Sequence, residues 1–318
     1  MKQFVRSQSF GAVIGVTVML IAFTVIDFSG WWNRSTLANV VQFSAILGLV
    51  AMGQALVIMT KEIDLSVGSV YGLTGVAFIT LEPKLGVPGS TLAALAIAAA
   101  IGAFQGLVVV RGKLPSMIVT LAGLFAARGV IYVWTGGTVQ NFSEAARNNW
   151  LTGLLGGQIF GIEAAIFWMV GLCLVLNVLL WGTRYGNRLL ATGGSLDSAE
   201  SRGVRTDHVK ILAFVLCSLL AGFAGILTLA DRPQTHVTLG DLMELEAIAS
   251  AVIGGCLLTG GRGSLVGAVL GAFIIVSFRY ELIALGAPSS WFTTFVGIVL
   301  IVAVIFNQYL ARRAGHSV

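Results

Sequence analysis

The sequence predicts an all-α, polytopic helical membrane protein of about ten transmembrane helices, forming one membrane domain over residues 1–318. Three observations predict it. Hydrophobic residues make up 57% of the chain and its mean hydropathy is +0.92. Charged residues are only 10% of it, where a soluble domain carries about a quarter. Apolar runs of about 18 residues or more recur with few charges, as membrane spans require. No polar stretch is long enough for a separate soluble domain.

The spans fall at roughly 10–28, 37–59, 66–81, 91–110, 115–134, 162–182, 208–230, 243–260, 264–282 and 289–308. The first follows Lys2 and Arg6 and resembles a signal peptide. No small-x-small cleavage site follows it, so an uncleaved helix is expected, with Asp27 and Trp31-Trp32 as an interfacial anchor. The eighth and ninth spans are separated only by the Gly-rich "TGGRGS".

Lys and Arg placement tests this count. With the N-terminus inside, thirteen fall in inner segments and four (Arg34, Lys84, Arg147, Arg232) outside; Arg128 and Arg279 lie within spans and are left out. This positive-inside bias puts both termini in the cytoplasm and accounts for a pI near 9.4 without nucleic acid as a partner. The long loop 135–161 is then external, and the polar segment at about 184–207 is cytoplasmic.

Enzyme signatures are absent. "GLVVVRGKL" ends in Gly-Lys but lacks the spacing of a phosphate-binding loop, and there is no HExxH or G-x-S-x-G. His208, His236 and His316 are far apart. Cys173, Cys217 and Cys256 all sit in apolar segments and read as packing residues. No catalytic or metal site is expected, and any ATP-driven step needs another subunit.

Three stretches remain. In "MTKEIDLSVGSV" (59–70), Asp64 either caps a tight turn before Ser66 or marks a discontinuous helix lining a substrate path, since broken helices at depth are buried or line cavities. In "GDLMELEAIASAVIGGCLLTGGRGS" (240–264), Asp241 is expected to cap a helix that Glu244 and Glu246 enter. Those two acids either favour the helix start or line an outer vestibule. In "SLDSAESRG", Ser195 is the expected N-cap and Gly203 the stop of a short helix, which is either a solvated connector or a docking element. Gly263, Gly267 and Gly271, four apart, form a smooth stripe for packing within the chain or between subunits.

These motifs resemble one family. "KEIDLSVGS" is close to "GGIDLSVGS". "PSMIVTLAGLFAARG", "GNRLLATGGSLDSAESRGV" and "ELEAIASAVIGGCLLTGGRGS" follow in the family's order. The chain resembles permease subunits of bacterial ATP-binding-cassette importers for ribose, xylose, galactose or autoinducer-2, within the branched-chain amino acid and sugar permease superfamily. The resemblance implies a vitamin B12-importer-like (type II) fold in the bacterial inner membrane. It also implies a second permease subunit, two separate ATPases that bind ATP and Mg, and a periplasmic substrate-binding protein, with no cofactor in this chain.

Carried over by position, Ser195, Leu196, Asp197, Ser198, Ala199, Glu200, Ser201, Arg202, Gly203 and Val204 become the segment that couples to the ATPase. Asp64 and Ser66 become path residues. Ser69, Gln105 and Thr120 are further hydroxyl and amide candidates for a sparse polar path, together with Glu244 and Glu246. The chain departs from the family at Lys61-Glu62, Gln105, Ser195 and Glu200. The alternatives are a branched-chain amino acid permease, or an ion-coupled transporter using Asp64 with Lys61.

Overall fold

A computed structural model describes residues 10–313. The first helices are α1 (Phe10–Ile26), α2 (Phe28–Trp31), α3 (Arg34–Ile58), α4 (Val67–Gly112) and α5 (Ser116–Thr135). Two short helices, α6 (Glu144–Arg147) and α7 (Trp150–Gly156), and the hairpin β1 (Gln158–Ile159) and β2 (Ile162–Glu163) precede α8 (Ala164–Gly182). Then come α9 (Arg184–Gly194), α10 (Leu196–Ser201), α11 (Thr206–Asp231), α12 (Met243–Ile253), α13 (Leu265–Ala284) and α14 (Ser289–Arg313). Among the described residues, six helices are long and apolar enough to cross a membrane: α3, α4, α5, α8, α11 and α13. This makes the chain a multi-pass helical membrane protein.

Burial separates the helices into a centre and a periphery. The most apolar window of α3 is 83% buried inside the protein, against 22% for α8 and 28% for α5. Helix α3 packs against α11, α13 and α12, and α11 lies along α4. An apolar helix buried on all sides belongs to a bundle core, while an apolar helix with an exposed face such as α8 suits lipid.

Several expectations are refined. The segments 66–81 and 91–110 fall in one helical stretch, α4, interrupted at Gly86, whose φ of 67° and ψ of 171° leave the helical region between Pro83 and Pro88. The segment 243–260 is helical only to Ile253, since the paired glycines that follow turn the chain at Gly255, Gly260 and Gly261 with positive φ. Trp31 is not an interfacial anchor: α2 turns its indole into the core, edge-on to Phe23 at 5.0 Å, and only Trp32 is exposed. Asp27 caps that turn by accepting a hydrogen bond from Gly30 N–H.

The glycine stripe serves packing within the chain. A Cβ on Gly267 would overlap the carbonyl of Gly254, and one on Gly271 that of Ser250, so α12 and α13 cross backbone to backbone. Gly271→Ala is expected to cost about 1–3 kcal/mol through overpacking. A lowered thermal unfolding midpoint of the detergent-solubilised protein reads it out; an unchanged midpoint contradicts this crossing.

Candidate functional site

Two polar clusters lie inside the bundle, each built around a segment that leaves the helix. After α3 the chain turns at Met59–Glu62 and runs back along α3. Asp64 thereby comes level with Gln54, four residues or about 6 Å from the helix end. Extended backbone at that depth must be satisfied by side chains. With its amide oriented to suit, Gln54 donates to Asp64 O (3.0 Å) and accepts from Asp64 N–H (3.2 Å), as a neighbouring strand would. From α5, Ser116 Oγ accepts from Ile63 N–H (3.2 Å) and Thr120 Oγ1 accepts from Leu65 N–H (3.0 Å).

Asp64 Oδ1 accepts from Ser66 N–H (2.8 Å) and from Ser66 Oγ (2.7 Å), so the aspartate closes a turn just ahead of α4. Ser66 Oγ is also 3.0 Å from Gln105 Oε1. One hydroxyl hydrogen serves only one of these acceptors at a time; a turned Gln105 amide would instead donate to Ser66 and remove the conflict. Asp64, Ser66, Ser69, Gln105 and Thr120 are thus brought into one region, all buried. Ser69 Oγ and Gln105 Nε2 have no hydrogen-bond partner among the described residues. None of the five lines either of the two polar clefts described below.

The second cluster surrounds the connection from α11 to α12. Its first part pairs with the loop after α5: Phe142 N–H donates to Pro233 O (3.1 Å) and Thr235 N–H to Gln140 O (2.9 Å). The chain then dips into the bundle until its carbonyls at Leu239 and Gly240 rest on Gly72 and Gly68 of α4, where any side chain would collide with them. Arg128, about 18 Å along α5, meets this segment. Its Nη1 donates to Leu239 O (2.8 Å) and Val237 O (3.2 Å), and its Nη2 lies 2.7 Å from the Asp241 carboxylate. Asp241 therefore does not cap α12; the N-cap is Leu242, in a left-handed conformation at φ 65°.

Glu246, buried on α12, pairs with Arg279 of α13, whose guanidinium lies 4.2 Å from the centre of the Phe292 ring. Glu244 is half-buried, beside Gly68. Between the dipping segment, Tyr71 and Arg279 lies a cleft of about 280 Å³. Arg128, Arg279, Tyr71, His236 and Gln54 were not among the candidates from sequence. The available signal was the presence of two arginines inside spans, because an intramembrane charge needs a partner and marks a functional position.

The polar segment after α8 carries the expected short helix. Ser195 caps α10 by accepting from Ser198 N–H, at 3.4 Å. Gly203, at φ 78°, ends it, with Gly203 N–H donating to Glu200 O and Val204 N–H to Ala199 O. Ser195, Leu196, Asp197, Ser198, Glu200, Ser201, Arg202 and Gly203 are exposed, Val204 is half-buried, and Ala199 faces inward. Glu200 accepts from Thr206 Oγ1 at 2.8 Å, which ties α10 to α11.

Just before α10, Gly193 lies so close to Met59 O and Gly261 N that no side chain fits, and Gly261 N–H donates to Met59 O (2.9 Å). The end of α9 is thereby wedged between the break before α4 and the break after α12. A cleft of about 500 Å³ beside it is lined by Glu62, Lys113, Leu196, Glu200 and Lys210, among others. Lys210 Nζ and Glu62 Oε1 are 2.6 Å apart, so Glu62 has a partner on α11. Lys61 holds a left-handed φ of 68°, a conformation that glycine adopts without strain.

Two tests follow from the clusters. Asp64→Ala removes both hydrogen bonds accepted ahead of α4 and is expected to cost about 1–2 kcal/mol. Asp64→Asn keeps the accepting oxygen and should retain most of the stability; equal unfolding midpoints for the two variants contradict the turn-closing role. Arg128→Leu leaves two carbonyls unpaired, at about 1–3 kcal/mol each. Arg128→Lys should recover part of this loss, since an ammonium lacks the planar fork. Protease cleavage within 233–242 in membrane vesicles reports it: faster for Leu, intermediate for Lys.

Residues 36–304 match the family described as the branched-chain amino acid transport system permease component. The chain is 35% identical over 296 residues to the ribose import permease protein of Escherichia coli strain K12, covering 92% of this chain and 91% of that protein. It is 31% identical over 316 residues to the autoinducer 2 import system permease protein of Yersinia enterocolitica serotype O:8, covering 97% and 85%. The corresponding Salmonella typhimurium strain LT2 protein is 32% identical over 318 residues, covering 98% and 88%. No solved structure matches the chain. A polytopic helical bundle whose match runs through both buried polar clusters and the capped helix α10 therefore belongs to the branched-chain amino acid transport system permease component family.

Proposed function

We propose that this chain is the membrane-spanning permease subunit of an ATP-binding-cassette importer, forming the path for a monosaccharide or similar small polyol delivered by a periplasmic binding protein. The observation that carries the reading is the near full-length similarity to ribose and autoinducer 2 import permeases. The subunit sits in the bacterial inner membrane as about ten spans of the vitamin B12-importer type, with both termini cytoplasmic. The excess of Lys and Arg at the end carrying residues 183–205 supports that orientation. A second permease subunit completes the path. ATP and Mg are held by separate ATPase subunits, and this chain needs no cofactor of its own.

In this reading Ser195 to Val204 is the element gripped by the ATPase. Its support is geometric: α10 is capped at both ends, presents Leu196, Asp197, Ser198 and Arg202 outward, and follows an α9 whose end touches two helix breaks. A push on α10 reaches Met59 and Gly261 through Gly193 without passing through a flexible linker. The loop 135–161 receives the binding protein, and its pairing with residues 233–235 connects docking to the dipping segment. Asp64, Ser66, Ser69, Gln105 and Thr120 act by stabilising the helix break before α4, and Glu244 and Glu246 belong to the second polar cluster. The family description favours a second reading, a branched-chain amino acid as cargo.

The coupling assignment is tested at Gly203. Its φ of 78° disfavours a side chain, although nothing occupies the space a Cβ would take. Gly203→Arg is expected to abolish ATP hydrolysis stimulated by loaded binding protein in proteoliposomes, with normal amounts of permease in the membrane. Gly203→Asn, which tolerates the left-handed region, should retain most of the stimulation. Wild-type stimulation in the arginine variant defeats the assignment.

A further inference from the structure

We infer that the cleft between Tyr71, the dipping segment 236–243 and the Glu246–Arg279 pair is a contact site for an uncharged polyhydroxyl cargo. This inference rests on the importer reading above and assigns the cargo site to this cluster instead of the one around Asp64. The Asp64 cluster is closed: it is buried and opens to neither cleft, and Gln54, Ser116 and Thr120 there serve the backbone of 63–65. The second cluster has room. At about 280 Å³ its cleft lies near the lower end of the roughly 300–1,000 Å³ typical of small-ligand pockets.

Its charges select the chemistry. The Asp241 carboxylate is matched by Arg128 and the Glu246 carboxylate by Arg279. Each acid that lines the cleft thus has its own arginine, and Glu244 is not among the lining residues. An amino acid brings an ammonium and a carboxylate, and each would have to displace one member of an existing pair. A polyol brings neither. Its hydroxyls donate and accept at once, which suits a site where carboxylates and carbonyls accept while a guanidinium and an imidazole donate.

The parts are held in position. Arg279 is seated over Phe292. The Tyr71 hydroxyl donates to Thr228 Oγ1 at 2.9 Å, so that residue presents its ring to the cleft. The carbonyls of Val237 and Leu239 are committed to Arg128, which holds the dipping segment in place. His236 and Thr238 are exposed and enter the cleft from the side that leads to residues 233–235 and the loop paired with them.

The test uses Thr238→Cys as a reporter in the full-length chain in membrane vesicles. Cys173 is replaced by Ser; Cys217 and Cys256 are buried. The labelling rate by a water-soluble maleimide is measured alone and with ribose, xylitol or leucine at equal, high millimolar concentration. Ribose and xylitol are expected to slow labelling several-fold and leucine to leave it unchanged. Adding Glu246→Gln should abolish that protection. His236→Ala, which breaks no ion pair, should weaken it and replaces the first variant if Glu246→Gln does not reach the membrane. Absence of labelling, equal rates in all conditions, or protection by leucine overturns the inference. Stimulation of ATP hydrolysis by loaded binding protein is measured on the same protein with its ATPase. Protection without stimulation removes the importer reading and keeps the cleft, whereas stimulation without protection removes the cleft and keeps the importer.

Discussion

Every peptide group that leaves a helix inside this bundle has to find its hydrogen bond within the protein, because hydrocarbon offers none. That constraint organises the structure. At residues 63–65 the partners are Gln54, Ser116 and Thr120, supplied by α3 and α5. At residues 237–239 the carbonyls of Val237 and Leu239 accept from the single side chain of Arg128, and Leu239 N–H donates to His236 O. Gln54, Ser116, Thr120 and Arg128 are thus the polar residues of an apolar chain that let two of its segments stop being helical.

The same breaks bring distant parts of the chain together. Gly193 touches Met59 and Gly261, so two irregular segments and the end of α9 share backbone contacts with no side chain between them, while Gly240 rests on Gly68 of α4 and Gly254 on Gly267 of α13. Backbone contact transmits displacement better than contact through flexible side chains, since packed interiors yield little. An element at one end of the bundle, α10, is thereby connected to the breaks inside it. The pairing of residues 140–142 with 233–235 makes a similar connection at the other end.

Much of the fold was legible in local pattern. Ser195 and Gly203 marked the ends of α10 because capping and left-handed glycine are properties of a few adjacent residues. The end of α12 was not read: the apolar run carried the expected span on to 260, whereas the helix stops at Ile253, just before the glycine pairs. Trp31 was misread because an aromatic beside a polar residue suits an interface, and only packing against Phe23 shows that α2 turns it inward. Asp241 was misread as a cap because an acid before a helix has that local use, while Arg128 competes for it from far along the chain.

By itself the sequence determined that this is a helical membrane protein and that one short capped helix stands in its longest charged segment. Hydropathy, cap residues and glycine placement act over a few residues and can be read there. Only the tertiary structure decided which groups satisfy the breaks, that Asp64 closes a turn in a sealed cluster, and that Arg128 and Arg279 neutralise Asp241 and Glu246 beside an open cleft. Arg128 and Asp241 are more than a hundred positions apart. No periodicity encodes such a pair: it exists because helix packing brings the largely buried Arg128 side chain up to the more exposed Asp241.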